Sequence, residues 1–125
     1  MLSSARLQTL VCTADIARGR RFYSEILGLR LKCQSHGADV YDVGEADLRL
    51  SPVPSTKRSE HTVVGFAVED LDAVAEALQQ KGVATERFPG FQHDVRGVWR
   101  APDGARVLWI RDPDGNLLSV VQYAR

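Results

Sequence analysis

Residues 62–82 read TVVGFAVEDLDAVAEALQQKG, and this stretch decides the fold. A short β-branched run, typical of a strand, is followed by Asp70, a residue type that favours the N-cap of a helix. The apolar residues behind Asp70 recur at helical spacing, and Gly82 accepts the left-handed backbone that ends many helices. We therefore predict a strand over residues 62–68 and a helix that begins after Asp70 and ends at Gly82.

The same pattern occurs once more, near the start of the chain. Residues 7–28 read LQTLVCTADIARGRRFYSEILG, with Asp15 at the N-cap position and Gly28 at the helix end. We predict a strand over residues 7–13 and a helix over residues 15–27. Internal repetition of this kind indicates two copies of one supersecondary unit.

Further strand-like runs, separated by Gly and Asp-Gly turns, follow each helix. We predict strands over residues 29–35, 38–43 and 47–51 in the first half, and over 83–87, 97–100, 106–111 and 117–123 in the second. The Pro-, Ser- and Thr-containing stretch 53–60 suits a surface linker.

These elements predict a single α+β domain over residues 1–125, built from two βαβββ modules. Module one covers about residues 1–52 and module two about residues 61–125. A lone module would leave one sheet face bare, so we expect the two modules to form a curved mixed sheet around a cleft. A concave sheet of this kind is a natural site for a small molecule.

Composition excludes several classes of function. Lys plus Arg equals Asp plus Glu at 16 each, so the charge gives no support for a nucleic-acid or membrane partner. No apolar run approaches the roughly 20 residues that a membrane helix needs. Residues 1–6 are too few and too polar for a signal peptide, so we expect a cytoplasmic protein.

The two cysteines and the standard catalytic motifs offer little chemistry. Cys12 and Cys33 form no CxxC pair, and both fall in strand-like runs, so we expect small buried hydrophobic residues rather than reactive thiols. No GxSxG, P-loop or GxGxxG pattern occurs in the chain.

Three short motifs are shared with one superfamily. They are FYSEILGL at residues 22–29, FAVEDLD at 66–72 and WIRDPDGN at 109–116. With the internal repeat, they make the chain resemble the glyoxalase/bleomycin-resistance/extradiol-dioxygenase, or vicinal oxygen chelate, superfamily over nearly its whole length. The motifs themselves report the fold, because their aromatic residues anchor a helix and their Asp-Pro-Asp-Gly turn closes a hairpin.

The resemblance implies four positions where the superfamily's metal enzymes place His, Gln or Glu ligands. Those positions carry Gln8, Arg49, Val63 and Ser119 in this chain. Gln8 could bind a metal, but Arg49 cannot at neutral pH, Val63 has no donor atom, and Ser119 is a poor ligand. The resemblance therefore implies a cleft lined by these four residues, with no metal and no other cofactor.

A displaced metal site remains as an alternative. His61 and Asp47 lie two residues before Val63 and Arg49, so strand alternation directs them to the same faces. Such a site would use Gln8, Asp47 and His61.

Two further residues are candidates for ligand contact. Phe91 lies in the loop over residues 88–95, and Trp99 lies in the strand that this loop leads into. They could form a wall for an aromatic or apolar ligand, or they could simply pack with Phe88 and Trp109. His93 lies in the same loop, either over the cleft or exposed to solvent.

The main prediction is a metal-independent small-molecule binding protein of the bleomycin-resistance type. Arg49 lies either on a strand face that simply meets solvent or on the cleft face that the resemblance implies, where it should pair with a negatively charged ligand. One alternative is a metal-dependent lyase, isomerase or dioxygenase that acts on a small oxygenated substrate. Another is a dimeric scaffold without a small ligand. We expect a homodimer in each case, because pairing covers exposed sheet edges.

Overall fold

The first half of the chain forms one mixed four-stranded sheet with a helical segment against one face. The computed structural model describes residues 1–125 and divides into two compact units, residues 1–57 and 58–125. The elements of the first unit are β1 (Gln8–Thr13), α1 (Ile16–Arg20), a π-helical continuation (Arg21–Ile26), β2 (Arg30–Ser35), β3 (Ala38–Val43) and β4 (Ala46–Pro52). The strand order is β1-β4-β3-β2, with β1 parallel to β4 and the other pairs antiparallel.

The predicted first helix forms where expected, but only its first part is an α-helix. The Asp15 carboxylate accepts a hydrogen bond from the backbone N–H of Arg18, which confirms the N-cap. Beyond Arg20 the helix widens, and the backbone N–H of Leu27 donates to the carbonyl of Phe22, five residues back, at 2.9 Å. The wider turn lets the consecutive residues Phe22 and Tyr23 both reach the core.

A glycine sets the distance between this helix and the sheet. A Cβ at Gly19 would lie 2.9 Å from Cδ2 of Leu50 and 3.2 Å from Oγ1 of Thr13. The helix backbone therefore rests directly on β1 and β4, an approach that a larger residue would prevent.

One face of this sheet is covered by the helix, and the opposite face is open. The covered face carries the largest fully buried side chains, and strand alternation directs their neighbours to the opposite face, where only Ala38 and Val40 of β3 are also buried. The main covered side chains are Val11, Thr13, Asp39, Tyr41, Leu48 and Leu50.

The prediction that Cys12 and Cys33 are buried is wrong. Both thiols are exposed. Cys12 lies between the buried residues Val11 and Thr13 and so belongs to the open face of β1. Cysteine is small and apolar, but the alternation of its strand decides which face it occupies.

The second unit repeats the arrangement with a regular helix. Its elements are β5 (Thr62–Ala67), α2 (Leu71–Gln80), β6 (Trp99–Arg100), β7 (Arg106–Arg111) and β8 (Leu117–Gln122), in the sheet order β5-β8-β7-β6. The Asp70 carboxylate caps α2 by accepting from the backbone N–H of Ala73, and Gly82 follows the helix with a φ of 74°. Leu71, Ala75 and Leu78 bury the apolar face of α2.

Two predicted strands of the second unit are shortened or missing. Residues 83–87 form only an isolated bridge between Thr85 and Ile110, and the predicted strand over 97–100 is reduced to β6. The physical reason is that both segments pair with the same edge of β7, because Thr85 lies opposite Ile110 and Trp99 opposite Val107. A six-residue strand has too few positions for two full partners on one edge.

The α+β class and the two βαβββ modules are confirmed, and each module has its own mixed four-stranded sheet. The boundary between the units, after Lys57, falls inside the predicted linker 53–60. No helix in the structure combines the length and apolar character needed to cross a membrane. The single domain and the cleft between the modules stay predictions.

A charged group is buried beneath the first helix. The Asp39 side chain is 1% exposed, and Arg20 donates to its two oxygens at 2.7 and 3.0 Å. Gln34 and the Tyr41 hydroxyl donate to the same carboxylate at 3.2 and 3.3 Å. Burial opposes ionisation of Asp39, but the hydrogen bonds from Arg20 and Gln34 and the charge of Arg20 outweigh it, so the pKa of Asp39 lies below its usual value.

Arg20→Met should lower the free energy of unfolding by about 3–5 kcal/mol near neutral pH, because it leaves a buried carboxylate without its cation. Since the pKa of Asp39 is lowered in the folded parent, the stabilisation by the pair is present above about pH 4 and is lost as the pH falls through the folded-state pKa. The difference between parent and variant should therefore shrink in acid.

Urea unfolding near pH 7 and near pH 3 measures both effects. Arg21→Met is the matched control, because Arg21 is the next residue, is exposed, and should cost less than about 0.5 kcal/mol. If Arg20→Met loses the same free energy of unfolding at both pH values, the stabilisation does not come from ionised Asp39 paired with Arg20.

Candidate functional site

The open face of the first sheet brings Gln8 and Arg49 onto one surface. Gln8 pairs with Asp47 along β1 and β4, and Leu10 pairs with Arg49 two residues further on. Paired residues of neighbouring strands direct their side chains to the same face. Both candidate residues of this unit therefore lie on the surface that the helix leaves uncovered.

Arg49 is half-buried and has no carboxylate partner. Its Nη2 donates to the backbone carbonyl of Ser35 at 2.9 Å, so the side chain reaches across β3 to the edge strand β2. This bond uses one of the five guanidinium N–H groups. The carbonyl fixes the direction of the guanidinium without neutralising its charge.

The acidic residues near Arg49 in the sheet are already paired with other cations. Asp47 accepts from Arg6 at 2.9 Å and from Lys32 at 3.4 Å, and Asp42 accepts from Arg6 at 3.1 Å and from Arg30 at 2.8 Å. The hydrogen bond from Arg6 is the main reason that the pKa of Asp47 lies below its usual value, and the bond from Lys32 adds to it.

Positive charge is in excess on this face of the first sheet. With Arg49, four cations lie with two carboxylates, and the other three cations are Arg6, Arg30 and Lys32. A surface with this balance attracts an anion more readily than a metal cation.

The donor atoms of this face do not fit a divalent metal ion. Arg49 occupies one of the four positions that the resemblance implies, and its guanidinium would repel a cation. Asp47, which the displaced site requires, already accepts hydrogen bonds from Arg6 and Lys32. His61 is exposed just before β5, and no three His, Cys, Asp or Glu side chains are grouped to hold a metal.

The open face of the second sheet carries Ser119. Ser119 of β8 pairs with Gly65 of β5 on one side and with Trp109 of β7 on the other. Val63 lies where the β5–β8 register shifts between Thr62 and Val64, and it is 37% exposed. Its neighbour Val64 is buried and Val63 is exposed like Gly65, so Val63 falls on the uncovered side of β5 despite the irregular register.

Five aromatic rings cluster beside Ser119. The Phe91 and Trp99 rings, which the sequence singles out, are 4.7 Å apart between centroids, and Trp109 lies 6.2 Å from Trp99. Phe88 and His93 complete the group, at 5.2 and 6.0 Å from Trp109. The sequence does not assign Trp109 to this site, although its alternation with Leu108 and Ile110 points to the open face.

His93 fixes the loop rather than supplying a reactive nitrogen. Its Nε2 accepts from the backbone N–H of Phe88 at 3.0 Å, and its Nδ1 lies 2.7 Å from the carbonyl of Gly97. A nitrogen beside a carbonyl must donate, so the ring is neutral and protonated at Nδ1. Both nitrogens are therefore occupied, and His93 has none left to bind a metal or transfer a proton.

The structure thus brings the candidate residues together in two groups, one on each sheet. Gln8 and Arg49 share the open face of the first unit. Ser119, Phe91 and Trp99 share that of the second unit, and Val63 lies at its irregular edge. Their role in ligand binding stays a prediction.

Comparison with known proteins identifies relatives over almost the whole chain. A family model described as the Glyoxalase/Bleomycin resistance protein/Dioxygenase superfamily matches residues 6–120. Uncharacterized protein YraH of Bacillus subtilis is 30% identical over 129 residues, covering 91% of this chain and 94% of that protein. Lactoylglutathione lyase of Haemophilus influenzae is 26% identical over 131 residues, covering 93% of this chain and 90% of that protein.

Solved structures show the same fold. The crystal structure of lactoylglutathione lyase from Agrobacterium tumefaciens has a TM-score of 0.73 and 21% identity, covering 95% of this chain and 93% of that one. At 21% sequence identity, this structural similarity shows a shared fold and says nothing about shared chemistry.

We expect the purified protein to contain no stoichiometric divalent metal, because Arg49, Val63 and Ser119 occupy the positions where ligands would be needed. Elemental analysis of protein purified without chelators measures this. One zinc, nickel, iron or manganese ion per chain, lost on substitution of Asp47 or His61, would establish the displaced site instead.

Proposed function

The chain belongs to the glyoxalase/bleomycin resistance protein/dioxygenase superfamily, and from this premise we propose that it binds a small molecule with an anionic group, without a metal. The observation that carries the proposal is the half-buried guanidinium of Arg49, which is oriented by the Ser35 carbonyl and has no carboxylate partner. A partly buried charge of this kind gains most from a ligand that supplies the missing counter-charge.

The chemistry of arginine narrows the class of ligand. A guanidinium presents a rigid planar fork that matches a carboxylate or phosphate in two-point contact. The bond to Ser35 limits the side chain to few rotamers, so little conformational entropy remains to be lost on binding. Gln8 lies on the same face and offers an amide that could hydrogen-bond another part of the ligand.

The competing function is a metal-dependent lyase, isomerase or dioxygenase with a displaced site. A lactoylglutathione lyase is among the relatives, but this chain has Arg49 at one of the four positions where the superfamily resemblance implies a metal ligand. Asp47 of the displaced site already interacts with Arg6 and Lys32 through its Oδ1, at 2.9 and 3.4 Å, and these two cations oppose the approach of a metal ion.

Arg49→Met tests the anion contact, because it keeps the length of the side chain and removes the charge. Benzoate and phenyl phosphate serve as anionic probes, and benzamide serves as a neutral probe of similar shape. We expect Arg49→Met to weaken binding of the anions by about 1.5–3 kcal/mol, a factor of roughly ten to a hundred, and to leave benzamide unaffected. Isothermal titration calorimetry measures the affinities.

The matched control is Arg21→Met, the same substitution at an exposed arginine of the helical segment. Both variants should fold, since Arg49→Met strands no carboxylate. The proposal fails if benzamide binds the parent as tightly as benzoate does, or if Arg49→Met binds both anions with parental affinity.

We further propose that the protein works in the cytoplasm as a homodimer. The compartment rests on composition alone. The dimer is supported by strands β1, β2 and β5, which each have one edge without a partner strand. Multi-angle light scattering at micromolar concentration should report twice the mass of one chain, and a monomeric mass would count against the dimer.

A further inference from the structure

On the open face of the second sheet, the side chains become larger from the edge strand β5 toward the opposite edge strand β6. The register places Gly65 and Ala67 of β5 beside Ser119 and Val121 of β8, and these beside Trp109 and Val107 of β7. Trp99 of β6 follows at the far edge, opposite Val107. Small side chains thus occupy one half of this face and indole rings the other half.

The small residues form a low, uncovered floor. Gly65 and Ala67 are both exposed, so no other residue of the second unit covers them. A Cβ at Gly65 would lie 3.0 Å from the Ser119 hydroxyl oxygen, which shows that this hydroxyl leans over the glycine. Ser119 makes no hydrogen bond within the protein through that hydroxyl, so it can donate or accept one at the surface of the floor.

The indole rings of the other half form a wall that contacts with the neighbouring loop hold in place. Phe91 meets Trp99 edge to face at 4.7 Å, and Phe88 meets Trp109 in the same way at 5.2 Å. His93 ties the loop to the backbone through two hydrogen bonds, at 3.0 and 2.7 Å. Gly97 lies so close to Thr85 that no side chain fits between them, which further fixes the path of this loop.

We propose that this surface, which we call the aromatic platform, binds a planar conjugated ring system that bears a hydrogen-bonding group at its edge. The ring stacks against the wall of Trp99 and Trp109 and lies over the floor of Gly65 and Ala67. The Ser119 hydroxyl bonds the polar edge of the ligand. The assignment goes beyond the proposed anion contact, because every residue it uses lies within residues 58–125 and none of them is Arg49.

The physical chemistry of the surface favours a flat ring over other apolar groups. Stacked aromatic pairs gain attraction beyond that of buried area alone, whereas an aliphatic group of equal size gains only the burial. A quaternary ammonium group suits the site less well. The rings contact one another and enclose no cage for a cation, and the nearby carboxylate of Glu86 is already paired with Arg58 and Arg111 at 2.8 and 2.7 Å.

A purely structural cluster would leave different features. Rings that serve only as a core would be covered, but Phe91 is 42% exposed and the adjoining floor is open. A purely structural cluster also does not explain why Gly65 and Ala67, the two smallest residues of the sheet, lie next to the Ser119 hydroxyl. Both features are expected of a surface that is completed by a ligand.

Nuclear magnetic resonance tests the platform directly, because Trp99 and Trp109 are the only tryptophans of the chain and both belong to the wall. The probe is 2-naphthol, and its saturated counterpart decahydro-2-naphthol has the same hydroxyl on a ring system without π electrons. We expect 2-naphthol to shift both indole N–H cross-peaks saturably. The saturated compound should bind at least about tenfold more weakly.

Two variants locate the binding surface. Ala67→Leu raises the floor and should weaken 2-naphthol binding at least about tenfold, while Ala77→Leu, the same change at an exposed position of α2, should have no effect. Ser119→Ala should weaken 2-naphthol about threefold to tenfold and leave naphthalene unchanged, because only 2-naphthol offers a hydroxyl partner. Dispersed backbone cross-peaks establish that each variant is folded.

The proposal is overturned if 2-naphthol leaves the indole cross-peaks in place up to its solubility limit. It is equally overturned if the saturated compound binds as well as 2-naphthol does, or if a folded Ala67→Leu retains parental affinity. Loss of benzoate binding in Arg49→Met bears on the anion contact alone, so the two proposals fail through different measurements.

Discussion

Each helical segment covers only one face of its four-stranded sheet, and most other features of the molecule depend on this constraint. Alternation along a strand then directs successive side chains in turn to the covered face and to the open face. Leu48 and Leu50 of β4 are fully buried, and Arg49 between them is left on the open face. In β7 the same rule buries Leu108 and Ile110 and leaves Trp109 half-exposed.

Short sequence patterns correctly predict those elements whose formation depends mainly on interactions between residues close together in the chain, such as helix caps. Asp15 and Asp70 cap the two helices because a carboxylate satisfies backbone N–H groups within the next turn, whatever the rest of the fold does. The missing strand over residues 83–87 is a different case, since its loss follows from competition with β6 for one edge of β7. Which of two segments pairs with a strand edge is decided in the folded protein, so the local sequence of residues 83–87 could not reveal it.

The candidate site also has features that the sequence predicts and features that only the folded structure shows. The face of Arg49 follows from strand alternation, and its need for a counter-charge from outside the protein was expected from the sequence. The pairing of Asp42 and Asp47 with Arg6, Arg30 and Lys32 was not expected, because it depends on contacts made across the folded sheet. For a similar reason, the sequence predicted only part of the aromatic platform: it named Phe91, Trp99 and Ser119 as ligand contacts but did not assign Trp109 to the site. Its rings come from a loop, a two-residue strand and a longer strand, and the hydrogen bonds of His93 that hold them together are made to the backbone. Sequence patterns describe side chains well and such backbone contacts poorly.

An arginine at the place of a metal ligand reverses the electrostatics of a site rather than merely weakening it. Two unit charges about 4 Å apart interact by about 4 kcal/mol at an effective dielectric constant of 20, so a divalent cation near Arg49 would meet a repulsion of about 8 kcal/mol. The donors left on the same face would have to overcome that cost, and of the positions that the resemblance implies there only Gln8 carries one. The same field attracts an anion, so the residue that opposes the metal also favours a different ligand. One fold can therefore hold either a cation or an anion on this face, and in this chain the side chains favour the anion.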